Sequence, residues 1–568
     1  MEDYRHKLTR LGLPVHEVTA LIEAKEQTDE NESAITTAGK TVFREYTLLN
    51  VFPRDIADAH VSGALHLNGL STWVLKPNEV MHDLRFFLQN GLKLDNLNRL
   101  EHSEKSPETF ETALAIAFNV LLLTRQEVNQ TQTLDHFNLF LAPYIKDIDT
   151  TRIKENLRVF ILNINQHVDA TLCLELTVPK FIADKPAISI KGKPCGKYLE
   201  FAAESKLLAS FILEIYAEES NLKPILNPKL VIKVDRETLN EENARSLLLK
   251  AHLLATNSNS IYFANMLSKE DKNIAYSASG IKLEANLTED WETDTIRTGC
   301  LGYVTISLPR IVHDCEKDKT KFFDLLKERC ELSSRAIGIK QRALKQYGKI
   351  AMPFLMQGTN GDTYFRLENC SGIINLAGLK EAVESFIGKP ISQPESLKFA
   401  EEIVQNTQTY IHKIGRKHSR RLFPAILPSP EASARLAQLD VEKYGVAKVK
   451  FSGTRDKPFY LTTRRLQLQA GNFASVASEQ LDVEQKINGL NAGGHLTVID
   501  MNGVEHKPEE LSKLTIHLME NKAIDFLTYN RVVTYCASCR KSWFETLHKC
   551  PTCGSIGTLL MFDRFYAT

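Results

Sequence analysis

Two C-x-x-C pairs near the carboxyl terminus constrain the fold of this chain more than any other feature. The four cysteines are Cys536 and Cys539 in "CASC", and Cys550 and Cys553 in "CPTC". Each pair presents both sulfurs on one side of a turn, so that four thiolates can converge tetrahedrally on one ion. The alternative is a redox-active C-x-x-C pair, which needs a βαβ context and does not account for two pairs. The spacing therefore predicts a structural zinc ribbon that holds the C-terminal segment in place.

Charge and composition limit the classes of partner. The 568 residues contain 70 Lys plus Arg and 70 Asp plus Glu, so no net field attracts the chain to nucleic acid or to an anionic membrane. The first residues, "MEDYRHKLTRLGLPVHEV", are charged throughout, and no apolar run has the length of a membrane span. We therefore expect a cytoplasmic protein without membrane or nucleic-acid partners. Its ten cysteines are interpreted as metal ligands, reactive thiols or buried small residues.

The hydrophobic pattern indicates α/β architecture. Apolar residues recur at helical spacing in "DLRFFLQNGL", "FETALAIAFNVLLLTRQEV" and "SKLLASFILEIYAEES". Short β-branched runs of strand length follow in "KLVIKVD", "YVTISL" and "HLTVIDM". We divide the chain into a main domain, residues 1–525 with a helical N-terminal part, and a terminal cysteine segment, residues 526–568.

Four further stretches and the terminus carry a family resemblance. "AHVSGALHLNGL", "IRTGCLGYVTISLPRI", "PSPEASARLAQLDVEKYG" and "NGLNAGGHLTVIDM" occur in this order, and "CASC…CPTC…DRFYAT" ends the chain. In order and spacing they resemble segments of the anaerobic (class III) ribonucleoside-triphosphate reductases, which are glycyl radical enzymes. The resemblance extends from about residue 40 to the end.

That resemblance implies a fold and a chemistry. The fold is a ten-stranded α/β barrel entered by a finger loop and surrounded by helices, usually as a homodimer. The family converts ribonucleoside triphosphates to deoxyribonucleotides. A radical-SAM activating enzyme installs a glycyl radical near the C-terminus, and the radical passes to a cysteine at the finger tip. Such chemistry requires a dry, shaped pocket. Formate or a dithiol supplies the reducing equivalents.

The terminal motif departs from the family at its central residue. Where the family has Arg, two variable residues, Gly and Tyr, this chain has Arg564 and then Ala567 at the glycine position. Glycine suits that position because its α-carbon has no Cβ and can flatten between two amide groups. A methyl group at Ala567 crowds that arrangement.

The finger loop departs as well. Its counterpart is "YSASGIKLEA", in which Ser279, Gly280 and Ile281 stand where relatives carry the radical cysteine. The nearest thiol is Cys300 in "RTGCLGYVTISLPR", our candidate for a cysteine that reacts with substrate. The alternative is an inert buried cysteine at the start of a strand. The early strand that carries a second cysteine in formate-dependent relatives reads "STWVLKPNEVMHDL", without a cysteine, which favours a dithiol donor or no turnover.

Four residues are candidates for substrate binding. Gly493 and Gly494 in "NAGGHL" form a backbone that can approach a phosphate, or simply a turn. His66 in "LHLNGL" is a polar group near the barrel, or a packing histidine. Arg464, with Arg465 beside it, can clamp a triphosphate bidentately, or lie on the surface.

Three functions remain open. The first is a working anaerobic ribonucleotide reductase. The second is a degenerate paralogue that binds nucleotide or a partner without radical turnover. The third is a zinc-ribbon protein that binds nucleic acid, which the neutral charge disfavours.

Overall fold

The computed structural model describes most of the chain. It covers residues 34–92, 105–220, 225–257, 261–267, 272–359, 361–469, 476–501, 506–543, 546–562 and 565. No helix in these ranges is long and apolar enough to cross a bilayer.

Helices surround a central sheet. They span Ala34–Tyr46, Arg54–Ser62, Leu84–Asn90, Phe110–Thr124, Phe137–Leu141, Thr150–His167, Lys180–Ala183, Ala202–Ser220, Arg236–Asn240, Glu242–Asn257, Trp291–Asp294, Leu308–Cys315, Lys319–Ala351, Leu379–Ile387, Pro394–Lys417, Pro430–Tyr444, Ser478–Asn488 and Pro508–Asn521. The three helices expected from periodicity are present at Leu84–Asn90, Phe110–Thr124 and Ala202–Ser220. The second begins at a capping box in which the Thr109 side chain accepts from the Thr112 N–H, satisfying a donor that the helix leaves unpaired.

The strands are mostly short. They are β1 Leu65–Leu67, β2 Glu79–His82, β3 Gln132–Leu134, β4 Ala170–Glu175, β5 Pro186–Ile188, β6 Pro194–Lys197, β7 Lys229–Val234, β8 Ile261–Asn265, β9 Ile274–Tyr276, β10 Lys282–Glu284, β11 Thr298–Ser307, β12 Gly358–Thr359, β13 Asp362–Thr363, β14 Ser371–Ala377, β15 Leu422–Ala425, β16 Ser452–Gly453, β17 Pro458–Phe459, β18 Arg464–Gln467, β19 Thr497–Asp500, β20 Phe526–Asn530, β21 Val533–Cys536, β22 Ser542–Trp543 and β23 Leu559–Phe562. The three runs expected to be strands form β7, β11 and β19.

Ten strands of the main sheet form a barrel of two parallel halves. The strand order is β15-β14-β11-β2-β3-β4-β7-β8-β20-β19, with β18 added beside β19 and β1 beside β11. Neighbours within each half run parallel, and the halves meet antiparallel where β11 pairs with β2 and β20 with β8. A parallel bridge between Ile426 and His495 joins the remaining edges. The expected ten-stranded α/β barrel is therefore confirmed.

A hairpin connects the two halves through the interior. Strands β9 and β10 pair antiparallel, with Ile274 opposite Glu284 and Tyr276 opposite Lys282. Residues 277–281 between them form the turn, in which the Gly280 N–H donates to the Ser277 carbonyl at 2.9 Å. The hairpin packs against inward-facing apolar residues of both halves. This is the finger loop that the resemblance implied.

The C-terminal segment divides at residue 531. Residues 526–530, which the sequence analysis assigned to the terminal segment, form β20, a strand of the barrel. A separate three-stranded sheet, in the order β22-β21-β23, then carries the cysteine pairs.

Candidate functional site

The tip of the finger hairpin lies inside the barrel beside strand β2. The Ala278 N–H donates to Thr171 Oγ1 of β4 at 3.3 Å, which ties the tip to the first half. The Ser279 hydroxyl donates to Glu79 Oε2 of β2 at 3.0 Å. The side chain at the tip position is therefore a serine hydrogen-bonded to a buried carboxyl group.

Cys300 lies next to this tip. It starts the inward-facing part of β11, where its Cα pairs with Glu79 of β2, and it is fully buried with Met81 and Ile281. Its Sγ contacts the Gly302 carbonyl at 3.4 Å, across an irregularity in the β11–β14 register. Burial raises the pKa of this thiol well above its ordinary value, so the thiol is protonated at neutral pH. The structure places Cys300 among the residues that surround the finger tip.

The Gly493–Gly494 turn packs against the finger hairpin. Gly494 has φ +127°, and a Cβ on it would lie 2.1 Å from the Gly280 carbonyl oxygen. The Lys282 N–H of the hairpin donates to the Gly493 carbonyl at 3.1 Å. In this structure the two glycines permit close backbone contact between the second half and the finger.

His66 lies on β1, the short strand that pairs with the second part of β11. Its Cα pairs with Thr305 of β11, and its ring stacks obliquely on His60 with centroids 5.3 Å apart. Nδ1 lies 3.5 Å from Arg435 Nη1, and Nε2 lies 3.9 Å from Glu431 Oε1. Burial lowers the pKa of His66 to about 3, so the ring is neutral.

The two arginines of β18 lie beside β19 and outside the barrel path. Arg464 pairs with Thr497, and its side chain is outside the described part of the structure. The Arg465 guanidinium forms an ion pair with Asp500, in which Nε lies 2.5 Å from Oδ2. Asp500 thus neutralises Arg465.

A buried polar network closes the end of the barrel near the tip. Thr305 Oγ1 donates to Asn68 Oδ1 at 3.0 Å, and Asn68 Nδ2 donates to Ser429 Oγ at 2.9 Å. Asn375 Oδ1 accepts from the Leu427 N–H at 2.8 Å. Ser429 directly precedes the helix Pro430–Tyr444, so the network joins β11, β14 and the start of that helix.

A second buried cluster lies at the carboxyl ends of β3, β4 and β7. Asp135, His136 and Glu175 are near enough to share an ion. The Lys233 ammonium lies 2.6 Å from Asp135 Oδ1 and 3.1 Å from Glu175 Oε1. The Lys233 ammonium lies between the two carboxylates, where a metal ion would bind, and it balances their negative charge. We therefore assign no metal to this cluster.

Phe565, the one described residue beyond β23, packs against the barrel. Phe565 is buried in one apolar cluster with Cys173 of β4 and Tyr276 of the finger hairpin. Cys173 Sγ lies 3.4 Å from the Tyr276 carbonyl oxygen. Ala567, two residues beyond Phe565, lies outside the described residues.

The four terminal cysteines form one group in the ribbon. Their sulfurs all lie within 4.8 Å of one another; Cys536 and Cys553 are 3.6 Å apart, as are Cys539 and Cys550. A tetrahedral ion with bonds of about 2.3 Å separates its sulfur ligands by about 3.8 Å. The Cys553 N–H also points at Cys550 Sγ, at 3.4 Å, as in a knuckle turn. The site fits one metal ion.

Sequence reasoning missed Glu79 and Asn68. The available signal for Glu79 was a glutamate directly before the apolar pair Val80 and Met81 in a run of strand length. Asn68 gave no comparable signal, because its partners are far away in the chain.

A barrel of two parallel halves, entered by the hairpin that joins them, defines a class of barrel proteins with a central finger loop. Within it, this chain belongs to the anaerobic ribonucleoside-triphosphate reductase family, an oxidoreductase family whose model matches residues 23–565. The resemblance seen in the sequence is thereby confirmed.

Known relatives agree. The anaerobic ribonucleoside-triphosphate reductase of Escherichia coli (strain K12) is 22% identical over 561 residues, covering 90% of this chain and 75% of that protein. That of Salmonella typhimurium is 23% identical over 558 residues, with the same coverage. The Thermotoga maritima anaerobic ribonucleotide reductase in complex with dATP and CTP superposes with a TM-score of 0.74 at 14% identity, covering 99% of this chain and 97% of that one. The structural likeness shows the fold.

Proposed function

We propose that this chain binds a ribonucleoside triphosphate at the finger tip and acts there as a ribonucleotide reductase, with Cys300 as the thiol next to the substrate. The observation that carries the proposal is the enclosed finger tip, with Cys300 and Glu79 beside it. Family membership supplies the substrate class. The surroundings are buried and largely apolar, as radical intermediates require.

The polar network at the same end of the barrel supports a place for the nucleotide. Arg435 lies behind it, mostly buried beside Arg44 and His66. Burial, with the nearby Arg44 charge, lowers the pKa of Arg435 to about 10, and it remains cationic at neutral pH. A guanidinium near the start of the helix Pro430–Tyr444 suits the triphosphate group.

A second candidate function is nucleotide binding without reduction. Two observations favour it: Ser279 occupies the finger tip, and Ala567 stands at the glycine position. Neither residue fits the radical chemistry of the family, because a serine hydroxyl does not replace a thiol and alanine crowds the α-carbon. We therefore derive no radical step for this chain.

The remaining family features are proposals on the same basis. We propose that zinc is the ion held by the four cysteines, that the protein is a homodimer, and that a radical-SAM activating enzyme is a partner if the reductase function holds. We also propose two domains, residues 1–525 and 526–568 as expected from the sequence, except that β20 belongs to the barrel and moves their junction to near residue 531.

Calorimetry on the anaerobic, zinc-loaded full chain tests nucleotide binding with CTP and ATP. We expect saturable binding, and its absence at millimolar nucleotide would refute both functions. Activation of Ala567→Gly and of the Ala567→Gly/Ser279→Cys double variant then separates them. Deoxyribonucleotide formation by Ala567→Gly alone, lost in a further Cys300→Ser change, supports reduction through Cys300. Turnover that requires Ser279→Cys, or no turnover, supports nucleotide binding without reduction by the natural chain.

A further inference from the structure

Glu79 is a buried acid whose two oxygens are not both paired by the residues that the structure describes. It is 1% exposed and faces the barrel interior from β2. Oε2 accepts from the Ser279 hydroxyl, whereas Oε1 has no hydrogen-bond partner among the described atoms. A buried polar atom without a partner destabilises the folded state, and folded proteins contain few of them. An apolar side chain would pack there without that cost, so the carboxyl group requires another explanation.

The protonation state of Glu79 follows from its surroundings. Burial raises its pKa to about 7, and the nearby hydroxyl groups of Ser279 and Ser277 oppose that shift. Two charges act on it from the barrel end, Asp169 and Lys229, and these are ion-paired with each other at 2.5 Å. From β11 it faces the protonated Cys300 thiol. Glu79 therefore takes up a proton more readily than an exposed glutamate, and in its protonated form it can both donate and accept.

A second oxygen without a partner lies on the neighbouring strand. Thr133 Oγ1 of β3 is buried and has no hydrogen-bond partner among the described atoms. Thr133 pairs with Met81 in the parallel β2–β3 ladder, and Glu79 lies two residues before Met81, so both side chains share the inner face. The interior thus offers a carboxyl and a hydroxyl, both incompletely satisfied, beside the finger tip.

These groups select the chemistry of a ligand. A phosphate needs cations, and the ammonium that acts on Glu79 is already paired with Asp169. A neutral diol instead both donates and accepts, which matches a partly protonated carboxyl group and a hydroxyl. Resting on the proposed function, we propose that Glu79 binds the vicinal hydroxyls of the nucleotide ribose and orients that ring at the finger tip.

The test compares CTP with its 2′-deoxy and 3′-deoxy forms by calorimetry on the full zinc-loaded chain. For the unaltered protein we expect each missing hydroxyl to weaken binding about tenfold. In Glu79→Leu, CTP should bind no better than the deoxy forms. In Glu79→Gln the side-chain amide still donates and accepts, so the preference for CTP over its deoxy forms should remain. That preference should not vary with pH between pH 6 and 8.5.

The matched control is Glu127→Gln. Burial also raises the pKa of Glu127 to about 7, but both of its oxygens accept backbone N–H groups, from Phe354 and Leu355, each at 2.8 Å. This variant should lower stability and leave the hydroxyl preference intact. If Glu79→Leu does not fold, the Glu79→Gln variant tests the proposal. If its preference for CTP over the deoxy forms depends on pH as in the unaltered protein, the proposal is overturned. Equal binding of CTP and its deoxy forms by the unaltered protein overturns this inference alone, whereas no CTP binding overturns the proposed function as well.

Discussion

Replacing Gly494 by alanine should loosen the finger hairpin from the barrel wall. Its φ of +127° is a conformation that costs an alanine about 1–3 kcal/mol. The new Cβ would lie 2.1 Å from the Gly280 carbonyl oxygen, where ordinary contact begins at 3.4 Å, so the hairpin must retreat by about 1 Å.

The displacement, shared between the hairpin and the Gly493–Gly494 turn, stretches one hydrogen bond on each side of that turn. The Lys282 N–H bond to the Gly493 carbonyl is 3.1 Å, and the Ile426 N–H bond to the Gly494 carbonyl is 3.2 Å. Each contributes about 1 kcal/mol. Together with the backbone cost, we expect the free energy of unfolding to fall by about 3–5 kcal/mol, a large share of the roughly 5–15 kcal/mol of a typical folded protein.

The assay is urea unfolding combined with hydrogen exchange across residues 274–284. Gly489→Ala is the control, because Gly489 ends its helix at φ −63° and a Cβ there meets nothing within 4 Å. We expect Gly494→Ala to have a lower urea midpoint and faster exchange in the hairpin, with Gly489→Ala unchanged or slightly stabilised. Equal urea midpoints and equal exchange rates for the two variants would refute the claim that Gly494 lets the hairpin pack closely against the barrel wall.

Three further predictions follow from buried charge, acid titration and the ribbon. Asp440→Leu leaves the Arg310 guanidinium buried without its carboxylate, and it removes the 2.6 Å hydrogen-bond partner of the Tyr460 hydroxyl. The free energy of unfolding, measured in urea, should therefore fall by about 3–5 kcal/mol. The control Arg335→Gln breaks an exposed ion pair with Asp55 and should lower that free energy by less than about 1 kcal/mol. Burial holds the pKa of His66 near 3, so between about pH 6.5 and 3 the unfolded chain binds a proton on this ring that the folded chain does not. The free energy of unfolding should therefore fall as the pH is lowered through that range, by up to about 1.4 kcal/mol per pH unit. His66→Gln should make that slope shallower by one proton in acid titrations of unfolding, and an unchanged slope would contradict the burial of a neutral ring. Cys550→Ser should abolish bound metal in elemental analysis while the circular dichroism of the barrel persists, whereas Cys195→Ser, at an exposed cysteine outside the ribbon, should retain it.

The finger hairpin brings a hydroxyl group to a buried carboxyl group beside Cys300. Ser279 takes the tip of the finger and hydrogen-bonds to Glu79, which occupies the strand position opposite Cys300. The Glu79 carboxyl group and the Ser279 hydroxyl thus lie beside Cys300. Among the described residues, Cys300 is the only cysteine in the apolar cluster around Met81 and Ile281.

Local patterns were sufficient for several elements. The helices Phe110–Thr124 and Ala202–Ser220 and the strands β7, β11 and β19 follow from apolar spacing, because periodicity reports which face is buried. The cysteine group follows from spacing as well, since each C-x-x-C turn brings its two sulfurs together within a few residues. The barrel, with its finger, came from the ordered resemblance of distant stretches and not from any single stretch.

The sequence by itself therefore determined the family, the α/β elements and the ribbon. Only the tertiary structure decided which side chains meet at the finger tip. Glu79, Ser279 and Cys300 are separated by up to about 220 residues, and their contact depends on the antiparallel register of β2 with β11 and on the seating of the hairpin. The pairing of β20 with β8 shows β20 to be a barrel strand, and the position of the hairpin brings Gly280 against Gly494. The register between strands that are remote in the sequence depends on the packing of the whole core. It therefore cannot be predicted from short stretches of sequence.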